Sequence, residues 1–160
     1  YFHILMVLIH IEIPLGSNVK YEFEDNKLKV DRILSTSMYY PGNYGYIPKT
    51  LAGDGDPIDV LVINAPILYP TSYIDCKILG MLDTEDEKGV DQKVIAIPRD
   101  NIDMNSISLN DISDINSIQL DVIRNFFSNY KANEKNKWVK IGEFRNSQET
   151  LDFIKTHSLN

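Results

Sequence analysis

Residues 53–63 read Gly-Asp-Gly-Asp-Pro-Ile-Asp-Val-Leu-Val-Ile. The proline in this stretch excludes a regular helix, so Asp54 and Asp56 lie on an extended segment and point to a common side. Asp59 follows at the start of an apolar, β-branched run, which predicts a buried strand over residues 58–64. The stretch therefore predicts an acidic loop that leads directly into a strand.

The closely spaced carboxylates of this loop need a positive partner. Two carboxylates ~5 Å apart repel by about 3 kcal/mol at an effective dielectric of about 20. A bound divalent cation offsets the repulsion directly, whereas protonation requires a large rise in pKa. An EF-hand is a poor match, because Ile58 and Asp59 hold the places where that loop requires an Asp or Asn and a Gly. The alternative interpretation is an ordinary exposed turn between two strands.

The overall composition narrows the classes of partner. The 160 residues include 16 Lys and Arg against 23 Asp and Glu, a net charge of −7 that argues against binding to nucleic acid or to anionic membranes. Cys76 is the only cysteine, so an intrachain disulfide is impossible, and we expect a cytoplasmic location. With few cysteines and histidines, the expected metals are hard cations bound by oxygen.

The apolar run over residues 1–13 could suggest a targeting segment. It is too short for a membrane helix of ~20 residues, no basic region precedes it, and no typical signal-peptide cleavage site follows it. We expect the run to lead into a buried first strand at residues 8–13. A signal peptide is the minor alternative.

Alternating apolar and polar residues predict more strands in the first hundred positions. Besides residues 8–13 and 58–64, they are expected at residues 19–24, 27–33, 73–82 and 94–97. Asp25 and Asn26 separate two of these runs, and short polar residues of this kind tolerate a tight turn. The sequence therefore predicts a hairpin at that point.

Helical spacing appears only after the strand-rich part. Apolar residues recur at this spacing from Ile115 to Tyr130, and a second helix is expected over residues 147–157 with Asn146 as its N-cap. Strands followed by helices predict one α+β, β-rich domain over residues 1–160, with the strands closing into a small barrel.

A second acidic segment spans residues 83–93, between two predicted strands. Asp91 and Lys93 are two residues apart at the start of a strand, so both side chains face one side of it. A carboxylate and an ammonium on one face suit a cation and an anion that are bound together. The alternative is a solvated hairpin tip.

Basic and aromatic residues supply candidate contacts to an anion. The candidates are Lys20 and Arg32 on predicted strands, Tyr40 and Tyr44 in a turn-rich segment, and Tyr130 and Lys131 at the end of the main helix. Solvent-facing strand charges and aromatic packing are the alternative interpretations.

Taken together, these features resemble the soluble family I inorganic pyrophosphatases of the short, bacterial type. The resemblance lies in Glu12 of IEIP, Lys20 and Glu22 of KYE, Arg32 of VDR, the segments YYPGNYGYIP and DGDPIDV, Asp86, Asp91, Lys93, and Tyr130-Lys131. It implies a five-stranded, OB-like closed barrel flanked by helices. It also implies hydrolysis of pyrophosphate to two phosphates with several Mg²⁺ ions, for which Mn²⁺ is a possible substitute, and a homohexameric assembly.

The resemblance further implies a role for each matching position. The metal ligands are Asp54, Asp59, Asp86 and Asp91, and the general base is Asp56. The phosphate contacts are Lys20, Arg32, Tyr44, Lys93, Tyr130 and Lys131. Glu12, Glu22 and Tyr40 support the metals and waters.

Two other classes of function are weighed against this one. A non-catalytic OB-like module could use tyrosines to stack single-stranded nucleic acid, although the acidic charge argues against it. A structural Ca²⁺-binding domain would bind the cation without turnover.

Overall fold

The strands and helices follow the apolar patterns of the sequence over residues 6–159, the part of the chain that the computed structural model describes. The strands are β1 (Met6–Ile13), β2 (Val19–Glu24), β3 (Lys27–Ile33), β4 (Asn43–Tyr46), β5 (Asp59–Val62), β6 (Tyr73–Asp86), β7 (Gly89–Val90), β8 (Lys93–Pro98) and β9 (Val139–Asn146). The α-helices are α1 (Ser117–Asn129) and α2 (Ser147–Thr156), and 3-10 turns lie at Met104–Ser106 and Ile112–Asp114. Residues 1–5 and 160, which belong to the expected 1–160 domain and in part to the apolar run, lie outside the described residues.

Five strands pair in a continuous order. β1 pairs with β4, β4 with β5, β5 with β8, β8 with β6, and β6 again with β1. The β5–β8 pairing is parallel and the other four are antiparallel. β7 and β9 extend the sheet from β6, while β2 and β3 form a separate hairpin. The structure is mostly β with two helices, which confirms the predicted α+β class.

Three strands, β4, β7 and β9, were absent from the sequence-based prediction, and β7 lies within the acidic segment at residues 83–93. β4 lies in the segment that we interpreted as a turn-rich loop, because its tyrosines and glycines do not alternate with polar residues. Gly45 permits this strand, since a side chain there would collide with the main chain of His10 on β1. β9 lies between the helices, so the expected order of strands followed by helices is wrong.

The buried apolar residues form two clusters that the helices cover. α2 adds Leu151 and Ile154 to one cluster, and α1 adds Ile123, Phe126 and Phe127 to the other. Each helix is preceded by an N-cap asparagine, Asn116 or Asn146, whose side chain accepts a hydrogen bond from a main-chain amide of the first turn. The N-cap at Asn146 was predicted from the sequence. Fully burying side chains of this size stabilises the fold by roughly 1.5–3 kcal/mol each. The helices are thereby fixed against the sheet.

Among residues 6–159, no helix is long and apolar enough to cross a membrane.

Candidate active site

A cleft of about 340 Å³ opens where β1, β3, β5 and β8 meet the end of α1. Every predicted site residue except Glu22 lines it. The residues brought together are Glu12, Lys20, Arg32, Tyr40, Tyr44, Asp54, Asp56, Asp59, Asp86, Asp91, Lys93, Tyr130 and Lys131. Glu22 is exposed on β2 and pairs in register with Lys29 of β3. The cleft thus combines carboxylates, cations and phenols from distant parts of the sequence.

Three carboxylates converge at the centre of the cleft. One side-chain oxygen each of Asp54, Asp59 and Asp91 lies within 4.8 Å of the others. Asp54 belongs to the acidic loop, where the positive φ of Gly55 (87°) suits a residue without a side chain. Two ligands of one cation with metal–oxygen distances of about 2.1–2.5 Å lie about 4–5 Å apart at most. The three carboxylates therefore have a spacing that suits one divalent cation.

Lys93 lies buried beside these carboxylates, with 2% of its surface exposed. The parallel pairing of β5 and β8 places it opposite Asp59. Its ammonium donates to Asp59 Oδ2 at 2.8 Å, to Asp91 Oδ2 at 2.7 Å and to the Tyr44 hydroxyl at 2.8 Å. Burial lowers the pKa of Lys93, but the attraction of Asp59 outweighs it and holds the net pKa well above its ordinary value. The side chain is therefore an ammonium at neutral pH.

The pKa values of the two carboxyls beside Lys93 shift in opposite directions. Burial raises the pKa of Asp91 to about 7, with the charge of Asp59 adding to the rise and Lys93 opposing it. Burial also raises the pKa of Asp59, but Lys93 and hydrogen bonds from Asp91, Lys93 and Tyr44 bring the net pKa below its ordinary value. Once Asp91 is ionised, one ammonium cannot neutralise the three carboxylates of Asp54, Asp59 and Asp91, so the centre of the cleft favours a further cation.

Asp86 lies in the same cleft but outside the group of three carboxylates. Its Oδ2 accepts from the Lys131 ammonium at 2.8 Å, and its Oδ1 accepts from the Lys88 amide at 2.9 Å. Burial raises the pKa of Asp86, but these two hydrogen bonds outweigh burial and lower the net pKa. Its negative charge is thus already paired with a lysine.

Asp56 is the most exposed of the cleft aspartates, with 56% of its side chain exposed. Its amide donates to Asp54 Oδ1 at 3.0 Å, which holds the loop in a tight turn. Its own Oδ2 accepts from the Lys88 ammonium at 2.8 Å. The carboxylate therefore lies at the mouth of the cleft, accessible to water.

The tyrosines of the cleft have both packing and polar roles. The ring of Tyr40 packs at a tilt against Tyr44 and Phe126, with ring centroids 4.9 and 4.5 Å away, and Tyr130 stacks on Phe126 at 5.3 Å. Burial raises the pKa of Tyr44 well above its ordinary value, so its hydroxyl keeps its proton. The ring of Tyr44 thus packs in the apolar core, while its hydroxyl contacts Lys93 at the polar centre of the cleft.

The cleft also contains polar residues that the sequence patterns do not mark as candidates for the site. They are Tyr46, Glu87, Lys88, Glu134 and Lys137. Lys88 lies within the second acidic segment, but its partner Asp56 is 32 residues away. Glu134 and Lys137 pair at 3.0 Å shortly after Lys131. The one signal that could have identified these residues is that they lie close to motif residues in the sequence.

The sequence matches the inorganic pyrophosphatase family over residues 9–159. The chain belongs to this family. The inorganic pyrophosphatase of Nanoarchaeum equitans is 52% identical over 149 residues, which cover 93% of both chains. That of Saccharolobus solfataricus is 46% identical over 92% of this chain and 87% of its own. The resemblance to the short, bacterial-type family I pyrophosphatases is confirmed.

A solved pyrophosphatase structure agrees with this assignment. The inorganic pyrophosphatase from Helicobacter pylori superimposes with a TM-score of 0.89 and 39% identity, over 96% of this chain and 92% of its own. The cleft described above is therefore a candidate pyrophosphatase active site.

Proposed function

We propose that the chain hydrolyses inorganic pyrophosphate to two phosphates, with Mg²⁺ held by Asp54, Asp59 and Asp91. The observation that carries the proposal is the convergence of these carboxylates within 4.8 Å of one another, beside a buried lysine. Carboxylate oxygens are the ligands that Mg²⁺ prefers, and the excess negative charge of the cleft suits it. When bound, Mg²⁺ supplies charge neutralisation and a water of lowered pKa.

The residues around this centre divide the remaining tasks of phosphoryl transfer. Asp56, at the mouth of the cleft, accepts the proton of the attacking water. The donors Lys20, Arg32, Tyr44, Lys93, Tyr130 and Lys131 hold the two phosphoryl groups and stabilise the charge on the departing one. Asp86 adds a further metal ligand, and Glu12, Glu22 and Tyr40 support the ligands and waters.

We also propose a barrel architecture, a set of metal ions and a cellular location for the protein. The five strands whose pairings return to β1 are a five-stranded, OB-like closed barrel flanked by α1 and α2. Several Mg²⁺ ions take part in turnover, Mn²⁺ substitutes for them, and the protein acts in the cytoplasm.

The two alternative functions fit the cleft less well. A nucleic-acid module needs exposed rings for stacking, but Tyr40, Tyr44 and Tyr130 are at most 8% exposed. A structural Ca²⁺ site has no need of the lysines and the arginine that surround the carboxylates. The cationic groups favour an anionic substrate instead.

The direct test is an assay of phosphate release from pyrophosphate. We expect turnover with Mg²⁺, turnover also with Mn²⁺ as its substitute, and none with EDTA. Salt-dependent binding to an oligonucleotide, without phosphate release, would favour the nucleic-acid module. A folded full-length protein that binds Ca²⁺ tightly but shows no Mg²⁺-dependent turnover would favour the structural site.

Arg32→Ala should weaken substrate binding while leaving metal binding intact. Arg32 lines the cleft from β3, and among the described residues it forms no ion pair with Asp59 or Asp91, which pair with Lys93. We expect the KM for pyrophosphate to rise about tenfold, the cost of one charge-assisted hydrogen bond, and the Mg²⁺ affinity in calorimetry to change less than about twofold. Lys29→Ala on the same strand, whose lysine pairs with Glu24 outside the cleft, is the control. Lost Mg²⁺ affinity in Arg32→Ala would contradict this role.

The proposed homohexamer has support from the β2–β3 hairpin. Phe23 pairs with Leu28 and Tyr21 with Val30 on one apolar face, and Phe23, Leu28 and Val30 are about half exposed. An exposed apolar face of this kind is typical of an association surface. We expect light scattering to give six times the 18.3 kDa chain mass, and Val30→Asp to lower it. A monomeric parent protein would exclude the hexamer.

A further inference from the structure

Three of the four proposed Mg²⁺ ligands lie on two segments that are far apart in the sequence and are called ligand loops below, the second of which includes the end of β6 and β7; Asp59, the fourth, begins β5. Residues 47–58 carry Asp54, and residues 84–91 carry Asp86 and end at Asp91. Asp54 and Asp91 repel each other when both are ionised, and the single ammonium of Lys93 offsets only part of this repulsion before metal binds. Other contacts must hold each loop in the shape that brings the carboxylates together.

Thr50 closes the first loop with its side chain. The residue is 4% exposed, and its hydroxyl donates to the Ile47 carbonyl at 2.7 Å and accepts from the Ile58 amide at 3.0 Å. The Ile47 amide also donates to the Ile58 carbonyl at 2.9 Å. One buried hydroxyl thereby joins both ends of the loop that carries Asp54 and Asp56.

Thr84 closes the second loop in a similar way. It is 5% exposed, and its hydroxyl donates to the Asp91 carbonyl while its own carbonyl accepts from the Asp91 amide at 2.9 Å. The two residues are the first and last of the loop that carries Asp86 and Lys88. Asp91 itself is 5% exposed, so its carbonyl has little access to water as a replacement donor.

We propose that Thr50 and Thr84 are positioning residues, each of which closes one ligand loop with a buried hydroxyl. Their hydroxyls bond main-chain atoms and are thus satisfied without a metal, so they act through the carboxylates. The inference rests on the proposed function, because it concerns the ligands assigned there. Without these hydroxyls, the ends of each loop are joined by main-chain hydrogen bonds alone, so Mg²⁺ binding must also order the carboxylates against their repulsion.

The test is Mg²⁺ binding by calorimetry in the absence of substrate. Thr50→Val and Thr84→Val keep the size of the side chain but leave buried main-chain groups without a partner, so we expect Mg²⁺ affinity to fall about tenfold in each. Thr50→Ser and Thr84→Ser restore the hydroxyl and should bind within about twofold of the parent. If a valine variant does not fold, the corresponding alanine variant is measured instead, with the same expectation.

Thr150→Val is the matched control. Thr150 is also fully buried, and its hydroxyl donates to the Asn146 carbonyl at 2.7 Å within α2, outside the cleft. We expect this variant to melt at a lower temperature with unchanged Mg²⁺ affinity. Equal Mg²⁺ affinity in the parent and the Thr50 and Thr84 variants, or equal weakening in Thr150→Val, would overturn the inference. A parent chain that binds Mg²⁺ but releases no phosphate would contradict the proposed function alone.

Discussion

Asp59→Asn is expected to release phosphate from pyrophosphate on the order of 10³-fold more slowly than the parent chain. Asp59 belongs to the group of three carboxylates and also accepts from Lys93 at 2.8 Å. Asparagine keeps an oxygen for Lys93 but removes the negative charge. We therefore expect both turnover and Mg²⁺ affinity to fall, measured by phosphate release and by calorimetry at the same pH.

Asp56→Asn should separate proton transfer from metal binding. Asp56 lies at the mouth of the cleft and outside the group of three carboxylates, so we expect its variant to lose turnover by a similar factor while it still binds Mg²⁺. Asp75→Asn is the control for both variants, because Asp75 pairs with Arg99 and does not line the cleft. A folded Asp59→Asn protein with turnover within about tenfold of the parent would exclude the proposed metal centre.

Local patterns were sufficient where one segment determines the structure. The hairpin was predicted from two alternating runs around Asp25 and Asn26, and both residues adopt the positive φ that a tight turn requires, 53° and 60°. The acidic loop likewise lies where its glycines and proline indicated. In such segments the turn residues and the spacing of the apolar residues favour the same local structure.

Contacts between distant segments could not be read from spacing. The ammonium of Lys93 reaches Tyr44, 49 residues away, only because β8 is parallel to β5, and β5 pairs with β4. β4 itself was unpredicted, since Gly45 is there for close approach to β1 rather than for a turn. The resemblance to a known family placed Tyr44 and Lys93 in one site, but their pairing became visible only in the structure.

The charge partner of Asp86 likewise could not be predicted from the spacing of residues in the sequence. The resemblance to the pyrophosphatases implied that Asp86 is a metal ligand, and the fold also brings Lys131 against it at 2.8 Å. A carboxylate count along the sequence cannot reveal which charges are already paired. In the structure, Asp54, Asp59 and Asp91 share one lysine, Lys93, whereas Asp56 and Asp86 each pair with a lysine of their own.

Lys93→Met is expected to destabilise the metal-free protein by about 3–5 kcal/mol at pH 8, the usual cost of removing one partner from a buried ion pair. The substitution leaves Asp59 and Asp91 together without the ammonium that both contact. The pKa values of both carboxyls should then rise above their unfolded values. The Lys93→Met variant is therefore expected to be most stable at acidic pH and to lose stability as the pH rises through the two raised pKa values.

The measurement is thermal unfolding of Lys93→Met at pH 5 and pH 8, with and without Mg²⁺. At pH 8 without metal we expect the melting temperature to fall by roughly 10 °C. Mg²⁺ should restore much of this loss, because it replaces the missing positive charge. Lys77→Met is the matched control, since Lys77 is also largely buried and pairs with Asp100 at 2.7 Å outside the cleft. If Mg²⁺ stabilises both variants equally, the buried lysine does not substitute for the cation, and the electrostatic basis of the proposed metal centre is wrong.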